Sequence, residues 1–200
     1  MQGDETSGTK AVVLEHHGAC AVIRLSRQAE RNPLSVSTLE SLYEIFSALL
    51  GRSGIDKIIF TGAGDVFASG ANIREVAELT PQTAIEFALR GQRLMQKIAG
   101  APVLTIAAVN GYCMGGGLDL ALSCRLRFAS TRAVFAHPGA RLGIITGWGG
   151  TQRLPRLIGS SRALEFFTTA RRIESREALE LGLVDRICDP VLECALSHNL

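Results

Sequence analysis

This chain has no long apolar run: no stretch reaches the roughly 18 uninterrupted apolar residues that a membrane-crossing helix needs. Membrane insertion is therefore not expected. The opening segment from Met1 to Lys10 is polar and acidic rather than basic and then apolar, so secretion is not expected and a cytoplasmic location is the expectation. Paired cysteines are missing too. Cys20, Cys113, Cys124, Cys188 and Cys194 form no CxxC pair, and their odd number and irregular spacing indicate reduced thiols, with neither a disulfide framework nor a metal site. Charge of one sign is scarce: 21 cations against 19 anions leave a net +2, so the field of the whole molecule selects no polyanionic partner. Arg153, Arg156, Arg162, Arg171, Arg172 and Arg176 gather in the last third, but no RNA-binding motif accompanies them. They read as solvated helix faces, and no nucleic-acid partner is expected.

What is present is a 200-residue chain with 46% hydrophobic content and 21 glycines, enough for one domain with a real core and too little for two. Residues 1–10 read as a polar tail and 11–200 as a single domain. Strand and helix patterns alternate. Ala11 to Glu15 and Cys20 to Leu25 flank His16-His17-Gly18-Ala19, a hairpin with glycine in its turn. Ser37-Thr38-Leu39-Glu40 predicts a capping box opening a helix to about Leu50, Lys57 to Thr61 a buried strand, and Thr80-Pro81 the start of a helix stopped at Gly100-Ala101-Pro102. Arg125 to Ala129 and Ala133 to Ala136 are short enough for strands. His137 to Gly150, with five glycines, reads as a functional loop in which Trp148 is a packing anchor or a pocket wall. Ser160 to Ala170 and Ser175 to Leu181 are the last clear helices, and Pro190 to Leu200 reads as the first turns of another. These strand, strand and helix repeats predict an α/β fold.

The most informative segment is Met114-Gly115-Gly116-Gly117-Leu118-Asp119. It follows the buried strand pattern Val103 to Val109 and runs into an apolar helix, Leu118 to Cys124, so the glycines occupy a strand-to-helix turn. The first helical turn has orphan N–H groups at the positive end of the macrodipole, and glycines let a ligand reach them without meeting a Cβ. An oxygen carrying negative charge fits there. Asp119, three residues after Gly116, shares its face about one turn away and is the only carboxylate between Glu86 and Glu165. From spacing alone Asp119 is either an acid facing that anion site or a helix-start acid offsetting Arg125 or Arg127.

Three segments, Phe67-Ala68-Ser69-Gly70-Ala71-Asn72-Ile73, Asn110 to Leu120 and Gly149-Gly150-Thr151-Gln152-Arg153-Leu154, resemble in order and spacing the signatures of the enoyl-CoA hydratase/isomerase (crotonase) family. The resemblance runs from about Val12 to Ile187. It implies a crotonase-like spiral of strand-strand-helix units and an acyl-CoA thioester as substrate, with coenzyme A arriving on the substrate and no further cofactor. It also implies that the thioester oxygen lies between the backbone N–H groups of Ala71 and Gly116, where an enolate develops. Gly70, Gly115, Gly139 and Trp148 then belong to the substrate site, Ser69, Ala71 and the Glu30-Arg31 pair lie toward the adenine and ribose, and Arg74 is the candidate for the CoA phosphates, which a guanidinium meets bidentately.

The chain also departs from that pattern. Hydratases of the family set a glutamate at the position of Asp119 and another at that of Gly139; here the first is shorter and the second absent. His137 and Arg141 are near the missing acid in sequence, and His137 joins Asp119 as a catalytic candidate. The resemblance thus implies an enoyl-CoA hydratase or isomerase, with a decarboxylase of the same family or a noncatalytic acyl-CoA-binding scaffold as alternatives. Gly139→Glu is expected to raise hydration where the backbone tolerates a side chain. Members of the family continue several tens of residues past Asp189, so the C-terminal helices are expected to be short or missing. A homotrimer or dimer of trimers is expected where the C-terminus is complete.

Overall fold

The computed structural model describes residues 10–198, so the expected polar tail lies, apart from Lys10, outside the described residues. The chain opens with β1 (Val12–His17) and β2 (Cys20–Leu25), antiparallel in the register Val12↔Leu25 to His17↔Cys20. His16 and His17 therefore belong to the strand rather than to the turn. Only Gly18 and Ala19 remain for the loop, and Gly18 takes φ +62°, as the tight hairpin demands.

After β3 (Pro33–Leu34), α1 (Val36–Leu50) begins earlier than the Ser37 box predicts. Its cap is Ser35, whose Oγ accepts from the Thr38 N–H at 3.2 Å. Burial accompanies the shift: Leu39, Leu42, Phe46 and Leu49 form the apolar stripe, and the start at Val36 adds two residues, about half a turn, before it. Then come β4 (Lys57–Gly62), β5 (Val66–Ala68), β6 (Gly70–Ala71), α2 (Ile73–Ala77) and α3 (Pro81–Ala99). The α3 boundaries are those expected: Thr80 caps, Pro81 occupies the first position and Gly100 ends the helix.

Next follow β7 (Leu104–Val109), β8 (Tyr112–Met114), α4 (Gly116–Ser123), β9 (Leu126–Ala129) and β10 (Val134–Ala136). The chain then forms α5 (Gly150–Ile158), α6 (Ser160–Thr169), β11 (Ile173–Glu174), α7 (Ser175–Glu180), β12 (Arg186–Ile187) and α8 (Val191–Ser197). Helix α5 is not apparent in the sequence. Its glycine start and Pro155 hide a segment whose Leu154 and Ile158 are nevertheless buried.

Strands β4, β7 and β9 lie in a six-stranded sheet ordered β1-β2-β4-β7-β9-β12, and each is followed within a few residues by a strand of a four-stranded sheet ordered β11-β10-β8-β5. This alternation is the strand-strand-helix spiral. Every residue of β7 is buried, because the large sheet is covered on both faces. On one side Phe46 of α1 meets Phe60 of β4 with ring centroids 5.7 Å apart. On the other, Val191 and Ala195 of α8 pack on Val22, Ile59, Ile106 and Phe128. The Lys57 ammonium donates to the carbonyls of Ala195, Leu196 and His198 at 3.0, 2.7 and 2.8 Å, closing the C-terminal end of α8 with a cation where the helix dipole favours one.

The small sheet assembles the site. Parallel pairing of β5, β8 and β10 brings their carboxyl ends together, with Ala136 opposite Met114. The residues just beyond these strands are Gly70-Ala71, Gly115-Gly116 and His137. Clefts at the carboxyl ends of parallel strands are where α/β proteins bind ligands.

Candidate active site

Gly70 and Gly115 permit the approach of the first two segments. Gly70 has φ +96°, and a Cβ on it would stand 2.8 Å from Met114 O and 3.0 Å from Gly116 N; Gly115 has φ +51°. Neither position tolerates a side chain. The Gly115 N–H donates to Ala136 O at 2.9 Å, and those of Leu118 and Asp119 turn back to Gly115 O. Gly116 is the first residue of α4, so its N–H has no acceptor within the helix. A Cβ on Gly116 would lie 3.4 Å from Ala71 N, so the backbone of the two expected donors comes close together.

Asp119 stands in the first turn of α4, with 1% of its surface exposed. Arg127 does not offset it: the Arg127 guanidinium bonds Leu183 O, Cys124 O and Asp185 Oδ2 at 2.9, 2.8 and 3.0 Å. The Thr146 hydroxyl donates to Asp119 Oδ2. Asp119 Oδ1 lies 3.2 Å from His137 Nε2, yet the two are not aligned for a hydrogen bond, and both atoms are buried without a partner. An unpaired buried polar atom costs about 1–3 kcal/mol, a cost tolerated where the atom has work to do on a ligand. His137 is itself buried, its ring 5.2 Å from that of Phe167. Gly150, opening α5, closes this corner, since a Cβ there would collide with Asp119 Oδ1.

These groups line a cavity of about 240 Å³ that also takes in Ser69, Gly70, Ala71, Gly115, Gly139 and Trp148. Its other walls are apolar, built from Ile73, Val76, Leu79 and Phe87 and from the loop residues Leu142, Ile144 and Ile145. The Ser69 N–H is engaged by Arg31 O and Asn32 O, at 3.1 and 3.3 Å, so its contribution is to the wall. Arg74 and Arg31 are both exposed and outside the cavity, with the Arg31 guanidinium 5.2 Å from the centre of the Tyr112 ring. Arg141 is exposed as well, on the outside of the loop.

Three features escaped sequence reasoning. Thr146 is the Asp119 partner, and its only signal is a lone hydroxyl in an apolar, glycine-rich loop. Gly139 is glycine for a steric reason: a Cβ there would stand 2.5 Å from Ile144 O, so Gly139→Glu strains the loop instead of supplying a second carboxylate. Arg153 belongs partly to the site, since its Nη1 donates to Trp148 O at 3.1 Å. Burial pulls its guanidinium below the ordinary value, the Asp119 charge opposes this and Arg156 reinforces it. Burial likewise pushes the Cys124 thiol up to about 12 and Cys113 well above its usual range, which makes both poor nucleophiles. Among the described residues no group of three or more His, Cys, Asp or Glu converges to hold a metal ion. No helix among them is long and apolar enough to cross a membrane.

Residues 15–197 match the family model described as Enoyl-CoA hydratase/isomerase. The chain is 37% identical over 180 residues to the short-chain-enoyl-CoA hydratase of Clostridium acetobutylicum, covering 90% of this chain and 69% of that protein. It is also 37% identical over 180 residues to the crotonyl-CoA hydratase of Syntrophomonas wolfei, with the same coverage of 90% and 69%. The crystal structure of an enoyl-CoA hydratase from Bacillus anthracis superposes with a TM-score of 0.89 at 34% identity, covering 94% of this chain and 74% of that one. The chain thus spans about two thirds of the length of these curated relatives.

Proposed function

The chain belongs to the enoyl-CoA hydratase/isomerase family, and from that premise we propose that it is an enoyl-CoA hydratase/isomerase acting through a thioester enolate. The observation that carries this reading is the pair of buried, unpartnered atoms Asp119 Oδ1 and His137 Nε2, 3.2 Å apart in the cavity that holds Gly116. The thioester oxygen accepts from the N–H groups of Ala71 and Gly116. Both donors are fixed before substrate arrives, so charge developing on that oxygen is stabilised without reorganisation.

In isomerisation Asp119 begins ionised, takes a proton from C2 of a 3-enoyl thioester and returns it at C4, which one carboxylate can do alone. Hydration needs two groups. A base removes a proton from the water that adds at C3, the electron pair passes to the thioester oxygen, and an acid delivers a proton to C2. His137 takes the place of the carboxylate absent at Gly139, with Asp119 as its partner. Arg74, outside the cavity, is assigned to the CoA phosphates, and Arg31, also outside it, to the adenine and ribose end. A cytoplasmic setting agrees with five free cysteines, and a trimer or dimer of trimers is the assembly assigned to the complete protein.

The test is conversion of crotonyl-CoA, a 3-enoyl-CoA and methylmalonyl-CoA by the purified protein. Conversion of the first two supports the reading; decarboxylation of the third that persists in Asp119→Asn favours a decarboxylase, because loss of carbon dioxide forms the enolate without a base. His137→Gln is expected to lower hydration about 10²-fold and isomerisation by less than tenfold, the lower end of what an acid or base supplies. Equal losses in both reactions would remove His137 from a specific role in hydration.

A further inference from the structure

The indole of Trp148 is only 3% exposed, although it lies in a loop where every neighbour from Gly147 to Gly150 is glycine. It fills a slot between two helices. A Cβ on Gly91 of α3 would collide with the indole Nε1 and Cδ1, and a Cβ on Gly116 of α4 would collide with its Cζ3. Glycine in the middle of a helix is unfavourable relative to alanine by about 0.5–1 kcal/mol, so the buried Gly91, well inside the 19 residues of α3, indicates space reserved for the ring. Phe87, one turn before Gly91, completes the slot with its ring centroid 5.4 Å from the indole. The loop is pinned on both sides: Gln92 Nε2 donates to Gly147 O at 2.8 Å and Arg153 Nη1 to Trp148 O at 3.1 Å.

The largest side chain in the cavity thus stands against the oxyanion glycine itself, in the space between α3 and α4 that would otherwise extend the acyl compartment. What remains, about 240 Å³, is below the roughly 300–1,000 Å³ usual for small-molecule sites. We propose that Trp148 is the wall that limits the acyl group, restricting this site to short-chain thioesters. The inference rests on the acyl-CoA reading above. Substituting the ring opens the slot between Gly91 and Gly116 to further methylenes, each of which gains apolar burial there. Any loosening of the Gly116 donor affects thioesters of every length alike and cancels in a ratio.

The experiment is calorimetric binding of two saturated, unreactive thioesters, butyryl-CoA and decanoyl-CoA, to the wild-type chain and to Trp148→Ala and Trp148→Phe. Circular dichroism establishes folding, and the phenylalanine variant decides the matter where alanine leaves too large a void to fold. The wild-type chain is expected to prefer butyryl-CoA. The Kd ratio is expected to shift toward decanoyl-CoA by at least about tenfold in the alanine variant and less in the phenylalanine variant, one factor of ten corresponding to 1.4 kcal/mol. An unchanged ratio in folded variants that still bind both thioesters overturns the role of Trp148 and leaves the acyl-CoA reading standing. Failure of the wild-type chain to bind either thioester overturns that reading, and the inference falls with it.

Discussion

Asp119→Asn is expected to lower conversion of both crotonyl-CoA and a 3-enoyl-CoA by about 10²–10⁴-fold, the range lost when a positioned acid or base is removed. The substitution keeps the shape of a side chain that is 1% exposed, and the asparagine oxygen can still accept from Thr146, so the fold has no reason to change. Thermal stability should stay level or rise. An ionised carboxylate buried with one oxygen unpaired is an expensive group, and its neutral isostere is cheaper to bury. Lost activity together with retained or raised Tm is the pattern of a group held for catalysis at the expense of stability. Lost activity with lost stability would instead identify Asp119 as a structural acid. The two rates together, measured beside a thermal melt, separate the outcomes.

The second large effect concerns a donor that belongs to the backbone. Gly116→Pro removes the N–H but also introduces a Cβ that meets Trp148, so the single variant confounds two changes. Gly116→Ala carries the same Cβ and keeps the N–H. The ratio of kcat between the two variants therefore isolates the donor, and it is expected to be about 10²–10³, the loss seen when one oxyanion donor is deleted. Proline is acceptable at the first position of a helix, where its missing N–H has no intrahelical partner to lose. Two well-folded variants with equal kcat would show that Gly116 does not hold the developing charge.

The glycine run and its acid were legible in the sequence because they are a local code: a buried strand, a turn without Cβ atoms and a helix whose first turn carries one carboxylate. The boundaries of α3 were legible for the same reason, since threonine cap, proline and terminal glycine all lie within the element. What could not be read depends on residues distant in the chain. The start of α1 at Val36, two residues earlier than the Ser37 box predicts, depends on a partner outside the helix: the Glu75 carboxylate, 39 residues away, accepts from the Val36 N–H at 2.8 Å. Helix α5 has no local start signal, only glycines, and it exists because Leu154 and Ile158 are buried in the core. The partnership of Thr146 with Asp119 spans 27 residues and requires the loop after β10 to fold back over α4. Gly139 looked like a missing catalytic group; Ile144 O occupies the place its side chain would need. His137 was visible only as one histidine in a loop, and the pairing of β10 with β8 brings it to Asp119.

Hydrogen–deuterium exchange at C2 of butyryl-CoA in heavy water, followed by NMR, tests the enolate directly, because a saturated thioester can neither hydrate nor isomerise. The account predicts exchange that is catalysed by the wild-type chain, abolished in Asp119→Asn and reduced far more by Gly116→Pro than by Gly116→Ala. A wild-type chain that binds butyryl-CoA without exchanging C2, or an Asp119→Asn variant that exchanges it as fast, would contradict the account.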